Sequence, residues 1–195
     1  MRILAFDTSM SGCSVAFYDG GVRAFESEPM ERGQAEHLVP MIGRVLEKAG
    51  AEYAAIEKIV TTVGPGAFTG LRIGLSTARA LGLALGVEVA GVKTFDVIAR
   101  KFLDNGGLQA GETLCVLLDT RRSDFYTQFF DTNGGAMEML EAAEIEWQAA
   151  GKKIVFIGDA LERFHIAMLR GHDAGECQLS DQLQQLRDGP AALSH

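Results

Sequence analysis

The apolar residues of this chain fall into short unbroken runs and amphipathic stripes that alternate along its length. Ile3 to Phe6 is a continuous apolar run, as in a strand covered on both faces, and Asp7 ends it. A second strand is predicted near Ser14 to Tyr18 and a third near Val22 to Glu28, joined by the turn signal Asp19-Gly20-Gly21. Leu38, Met41, Ile42, Val45, Leu46 and Ala49 then recur at helical spacing, with Arg44, Glu47 and Lys48 on the other side. Gly50 closes that helix, and Pro40 either kinks it or marks its first turn. A strand over Lys58 to Val63, a glycine-rich loop over Gly64 to Gly70 and a helix from Leu71 to about Leu85 follow. A strand over Val87 to Val92 and a helix starting near Thr94 complete the first half.

The second half begins the same way. Leu114 to Leu118 is an apolar run ended by Asp119, and strands are predicted at Phe125 to Phe130 and Ala136 to Leu140 around an Asp131 to Gly135 turn. A helix (Ala142 to Ala150), a strand (Ile154 to Ile157) and a helix (Leu161 to Arg170) come next. Asp7-Thr8 aligns with Asp119-Thr120 at an offset of 112 residues, and Phe17, Tyr18 and Asp19 fall on Phe129, Phe130 and Asp131 at that offset. The pattern predicts an α/β protein of two tandem ribonuclease H-like lobes, residues 1–105 and 106–195, each led by a three-stranded meander. The actin, sugar-kinase and heat-shock-chaperone (ASKHA) superfamily is built this way and binds nucleotide between its lobes, but a fold alone assigns no function.

Composition narrows the classes. The 195 residues are 47% hydrophobic and 23% charged, enough for a substantial core. The net charge of −8, with no basic run longer than Arg121-Arg122, argues against strong nucleic-acid binding by this chain alone. Cys13, Cys115 and Cys177 are scattered, which fits buried thiols better than a disulfide framework or a zinc site. The chain reaches Asp7 too soon for a signal peptide, and Arg72 and Arg79 interrupt the apolar stretch from Leu71 to Val87. A cytoplasmic protein without a membrane span is expected.

Asp7 and Asp119 stand where the phosphate-facing hairpins of the superfamily begin. Its active members place a glycine near that Asp so that backbone amides approach phosphate, whereas Ser9 and Arg121 stand two residues on here. The simpler reading is that each Asp ends a strand and satisfies turn amides; a metal-phosphate role is the alternative. The loop carrying Gly64 and Gly66 lies between a strand and a helix, where anions bind, but no Gly-Lys-Ser/Thr follows. Gly70, Gly74, Ala78, Gly82 and Gly86 form one bare row, each interior glycine costing about 1 kcal/mol against alanine, so close approach of another element must offset it. That element is either the chain's own sheet and first helix or a partner's helix. His37 has Met41 at i+4, and no histidine has ligand-like spacing.

Leu4-Ala5-Phe6-Asp7-Thr8-Ser9, Cys13-Ser14-Val15-Ala16 and above all Gly64-Pro65-Gly66-Ala67-Phe68-Thr69-Gly70-Leu71-Arg72-Ile73-Gly74 resemble the TsaB (YeaZ) family. Asp119, Arg121 and Tyr126 match its second hairpin, and the resemblance thins after about residue 130. It implies a non-catalytic paralogue of TsaD, which transfers threonylcarbamoyl onto adenosine 37 of ANN-decoding tRNAs, with the ATPase TsaE joining them and TsaC supplying the activated adenylate. ATP and metal would then belong to the partner subunits, and tRNA would be met only through the complex. TsaD carries a histidine pair for its metal; the matching positions here are Thr94 and Ile98, neither with an imidazole. Family members run further, so the second lobe is expected to be incomplete.

The resemblance implies docking through the first two helices, with Leu38, Met41, Ile42, Val45, Gly70, Arg72, Gly74, Ala78 and Gly82 as the expected interface. Asp7, Thr8, Gly64, Gly66 and Asp119 would be a vestigial phosphate-facing set. Gly74→Leu or Ala78→Trp is then expected to abolish TsaD binding without unfolding the chain, and a homodimer is expected in isolation. The competing reading is a small phosphotransferase or ATPase using Asp7, Asp119 and the Gly64 loop. A glycopeptidase finds neither a nucleophile nor a metal pair.

Overall fold

A computed structural model describes residues 1–130 and 137–171, which divide into two compact units meeting at Asp96 and Val97. The first contains β1 (Arg2–Asp7), β2 (Gly12–Asp19), β3 (Val22–Pro29), α1 (Gln34–Lys48), β4 (Lys58–Gly64), α2 (Phe68–Leu85) and β5 (Glu88–Lys93); α3 (Thr94–Asp104) starts at its end. The sheet order is β3-β2-β1-β4-β5. β1, β2 and β3 pair antiparallel through short turns, while β4 and β5 run parallel to β1 and therefore need crossover connections, which α1 and α2 supply.

Alternate residues of the strands point into the core. Leu4, Phe6, Val15, Phe17 and Ile59 meet Leu38, Met41, Ile42, Val45 and Leu46 of α1 and Ala78 of α2, all buried. Pro40 lies inside α1, not in its first turn, because the helix already starts at Gln34. Pro40 and Glu36, the residue one turn earlier whose carbonyl loses its amide partner, are both exposed, so water can take that carbonyl. α2 starts at Phe68, three residues earlier than the pattern predicts, and the Leu71 amide donates to the Ala67 carbonyl at 2.9 Å. The end of the glycine-rich loop is thus the first turn of a helix.

The second unit contains β6 (Glu112–Asp119), β7 (Phe125–Phe130), β8 (Met137–Leu140), α4 (Ala142–Ala149), β9 (Lys153–Ile157) and α5 (Leu161–Gly171), with sheet order β8-β7-β6-β9. Its core gathers Cys115, Leu117, Phe125, Ile145, Phe156, Phe164 and Met168. Phe164 stands edge-on to Phe125 with centroids 5.6 Å apart, and 5.3 Å from Phe156. Glu141 and Glu144 close a capping box at the start of α4. The turn at Asp131 to Gly135, Cys177, His172, His195 and the tail beyond lie outside the described residues.

Both sheets thus begin with an antiparallel meander and add a parallel strand beside its first strand, the ribonuclease H-like order expected of a two-lobe ASKHA-type α/β protein. The repeat is real at Asp7 and Asp119, but its register slips across the hairpin. Leu4 pairs with Phe17, while Val116, its equivalent, pairs with Gln128. The connection between the first two strands is one residue shorter in the second lobe, so Phe17 corresponds to Gln128 and not to Phe129. A side-chain period of two means that a one-residue slip exchanges faces, which a fixed offset cannot reveal.

Candidate functional site

The first-lobe hairpin is filled by its own chain. The Asp7 carboxylate accepts the Ser9 amide at 2.9 Å and the Thr62 hydroxyl at 2.5 Å. Thr8 and Ser9 are buried, and the Thr94 hydroxyl donates to the Ser9 hydroxyl at 3.4 Å. The glycine-rich loop lies directly on this turn: the Ala67 amide donates to the Ser9 carbonyl at 2.7 Å, and a Cβ at Gly66 would come within 2.3 Å of that oxygen. Gly64, at φ 108°, supplies a backbone conformation that other residues rarely adopt. Asp7 therefore orders a turn, and Gly66 has to be glycine because the Ser9 backbone passes it.

The row on α2 is explained the same way. A Cβ at Gly70 would lie 1.9 Å from the Thr8 carbonyl oxygen, one at Gly74 would lie 2.8 Å from the Thr8 hydroxyl, and one at Gly82 would lie 2.4 Å from Val89 Cγ2. Ala78 is fully buried in the same core. The bare row thus meets the turn just after β1, and β4 and β5, of its own lobe. Leu38, Met41, Ile42 and Val45 are likewise fully buried in the first core. Of the nine interface positions expected from sequence, eight spend their side chains or their missing side chains inside the lobe, and Arg72 alone of the nine is exposed. Gly74→Leu would break the Thr8 and Thr61 packing, so it is unsuited to test docking.

Arg72 is the exception. It is exposed, and its guanidinium stacks 3.8 Å over the ring of Phe68, one turn earlier. Phe68 is 67% exposed and Leu83 86% exposed, at opposite ends of α2, with Ser76, Arg79, Ala80 and Ala84 also exposed between and beside them. At 1.5 Å per residue this outer face runs about 22 Å. The sequence reading missed Phe68 and Leu83 because it followed the row of smallest residues, which marks the inner face.

The second-lobe hairpin repeats the turn and adds a cation. The Asp119 carboxylate accepts the Arg121 amide at 2.7 Å, as Asp7 accepts Ser9, and pairs with the Arg163 guanidinium of α5 at 3.1 Å. Arg121 adopts φ 63° at the tip. Asp159 accepts the Asp119 amide at 2.9 Å; desolvation first, and then the Asp119 charge, hold its carboxyl above the usual range. Among the described residues no three His, Cys, Asp or Glu side chains are grouped to hold a metal, and Thr94 and Ile98 offer no imidazole. The donors present do not, as they stand, fit a divalent metal. A cleft of about 580 Å³ lined by Arg2, Asp19 and Arg23 lies at the opposite end of β1 and β2 from Asp7. No helix among the described residues is long and apolar enough to cross a membrane.

Residues 26–160 match the model of the TsaD family, tRNA N6-adenosine threonylcarbamoyltransferase. The chain is 31% identical over 137 residues to the tRNA threonylcarbamoyladenosine biosynthesis protein TsaB of Escherichia coli, covering 69% of this chain and 58% of that one. It is 36% identical to TsaB of Buchnera aphidicola from Schizaphis graminum, over 51% of this chain and 47% of the relative. The chain therefore spans about half the length of the curated relatives it matches. Among solved structures it resembles YeaZ from Pseudomonas aeruginosa, at 31% identity and a TM-score of 0.61 over 71% of this chain and 64% of that one. A second structure, of a protein from Pseudomonas aeruginosa with similarity to peptidase YeaZ, gives 25% identity and a TM-score of 0.66 over 88% of this chain and 93% of that one. With the ribonuclease H-like meander, the Gly64 to Gly74 segment and these relatives in agreement, the chain belongs to the TsaB (YeaZ) family.

Proposed function

We propose that this chain serves tRNA threonylcarbamoyladenosine biosynthesis as a non-catalytic scaffold, docking on a TsaD-type catalytic subunit through the outer face of α2. The observation that carries the reading is that face itself. Phe68 and Leu83 stand in solvent while the rest of the helix is anchored by its glycines to the sheet. Apolar side chains exposed on a helix whose inner face is fixed to the sheet, interleaved with small residues, give a partner helix anchors to bury at close approach. Arg72, already stacked on Phe68, supplies a preorganised cation beside the apolar anchor. The non-catalytic part is supported by the hairpins, whose carboxylates are committed to turn amides, Thr62 and Arg163. On this reading TsaE joins the TsaD-bound assembly, tRNA is met only through it, and the complex works in the cytoplasm. In isolation the same α2 face pairs two copies of the chain.

Co-purification with a TsaD tests the docking. Phe68→Glu and Leu83→Glu are expected to abolish capture while leaving the circular-dichroism spectrum and melting temperature unchanged, because both side chains are exposed. Full capture by the double variant would refute docking through this face. Mass spectrometry of tRNA nucleosides after depletion of the chain is expected to show loss of threonylcarbamoyladenosine. Metal-dependent ATP turnover by the purified chain, lost in Asp7→Asn, would overturn the non-catalytic reading.

A further inference from the structure

The outer face of α2 carries charge of one sign. Phe68, Arg72, Ser76, Arg79 and Leu83 succeed one another at helical spacing, a single exposed stripe turned away from the buried Gly70, Gly74, Ala78 and Gly82. The helix holds these two arginines and neither Asp nor Glu, in a chain whose net charge is −8. Other arginines of the first lobe are neutralised within it: Arg2 pairs with Glu57 and Arg44 with Glu26. Arg72 instead stacks on Phe68, and among the described residues neither Arg72 nor Arg79 meets a carboxylate. Two helical turns separate the two positions, about 10 Å along the axis. Ser76 lies between them with a small side chain, and Phe68 and Leu83 stand at the two ends.

We propose that the surface covering this stripe is an acidic helix of another protein, with carboxylates two turns apart that meet Arg72 and Arg79, and apolar hollows that take Phe68 and Leu83. The inference rests on docking through α2 and adds the chemistry of the occupant. A guanidinium enclosed in an interface without a partner is costly, and a carboxylate aligned with its fork removes that cost. Ser76 lets the two helices come close enough for both pairs to form. A second copy of the chain fits this face less well. An isologous pair presents the same stripe from both sides, so arginines gather from each copy with no carboxylate on either α2. Self-pairing through α2 is therefore the weaker association, relieved by salt and displaced by the acidic partner. A nucleic acid would offer phosphates to the same arginines, but the net charge of −8 opposes its approach.

Titration calorimetry of the full chain with a TsaD-type subunit tests this. Wild-type affinity is expected to fall about tenfold or more between about 50 and 500 mM sodium chloride, where screening acts over less than the distance between packed helices. Arg72→Glu/Arg79→Glu should weaken binding about 100-fold or more at the lower salt. Arg72→Lys/Arg79→Lys, which keeps both charges, should stay within about tenfold of wild type. Both variants should keep the wild-type circular-dichroism spectrum, because the altered side chains are exposed. Self-association of the isolated chain, followed by ultracentrifugation, should instead tighten as salt is added. Salt-independent binding, or self-association that weakens with salt, would overturn the proposal. Loss of binding in Phe68→Glu/Leu83→Glu beside full binding by Arg72→Glu/Arg79→Glu would sink the acidic partner and leave docking through α2 standing. Full binding by Phe68→Glu/Leu83→Glu would remove that docking, and this inference with it. Binding of tRNA by the isolated wild type, lost in Arg72→Glu/Arg79→Glu, would assign the arginines to phosphate and likewise overturn it.

Discussion

The Thr8 hydroxyl donates to the Gly70 carbonyl at 2.7 Å, and a Cβ on Gly70 would stand 1.9 Å from the carbonyl oxygen of Thr8. The turn after the first strand and the second helix are thus in contact backbone to backbone, with no room for a side chain between them. Gly70→Ala must move one main chain away from the other and is expected to cost about 3 kcal/mol, the upper end of overpacking. Gly74→Ala meets side-chain hydroxyls instead of main chain, 2.8 Å from that of Thr8 and 3.1 Å from that of Thr61, and the gain of about 1 kcal/mol in helix propensity offsets part of the cost of shifting them, so a smaller loss than at Gly70 is expected. Urea denaturation of the two variants should therefore separate them widely. Equal stabilities would show that the Thr8 contact is not tight.

Glu26 on β3 lies between Lys48, at 2.7 Å, and Arg44 of α1, whose Nε donates to it at 2.8 Å. Hydrogen bonds from Arg44 first and Lys48 second bring its carboxyl down from 4.5 to about 2. A depressed folded-state value means that the contribution is complete above pH 4.5 and lost as pH falls through 2. Glu26→Gln should be less stable than wild type at neutral pH, and the gap should close between pH 4.5 and 2. Urea midpoints measured against pH check this; a gap constant across that window would mean that the carboxylate charge is not what binds β3 to α1.

Cys13 is buried in the first core, and burial, with Asp7 and Glu28 adding to it, pushes its thiol up to about 11. At pH 8 the thiolate fraction is then on the order of 10⁻³. In a Cys177→Ser background, iodoacetamide should leave Cys13 and the buried Cys115 unmodified in the native chain and label both in urea. Rapid native labelling of Cys13, followed by mass spectrometry, would place it outside the core.

Phe164 joins Phe125 and Phe156 in the centre of the second lobe. Phe164→Ala should cost roughly 3–5 kcal/mol, because three elements lose one shared partner and the cavity cannot collapse from all sides. Calorimetry should show a lowered transition temperature, and a change within error would mean that the lobe repacks freely.

The order of strands and helices was legible because each element carries a local period. Leu38, Met41, Ile42, Val45 and Leu46 define one helical face, and the two Asp-ended apolar runs mark the repeat. The family was legible too, through one segment, Gly64 to Gly74. What the row on α2 faces was not legible, since a row of small residues states only that something approaches closely. Tertiary structure decided that it is the sheet of its own lobe, at Thr8, Thr61 and Val89, and so left the opposite face, Phe68 and Leu83, to the outside.

Arg163 shows the same division at the second hairpin. Its partners lie about 40 residues earlier in the chain, and no local period records a guanidinium that closes over a distant turn. The sequence by itself determined the repeated Asp turn, because an Asp side chain reaches the amide two residues on in any such turn. Only the packing of α5 against β6 and β7 decided that one of those two carboxylates keeps a cation of its own.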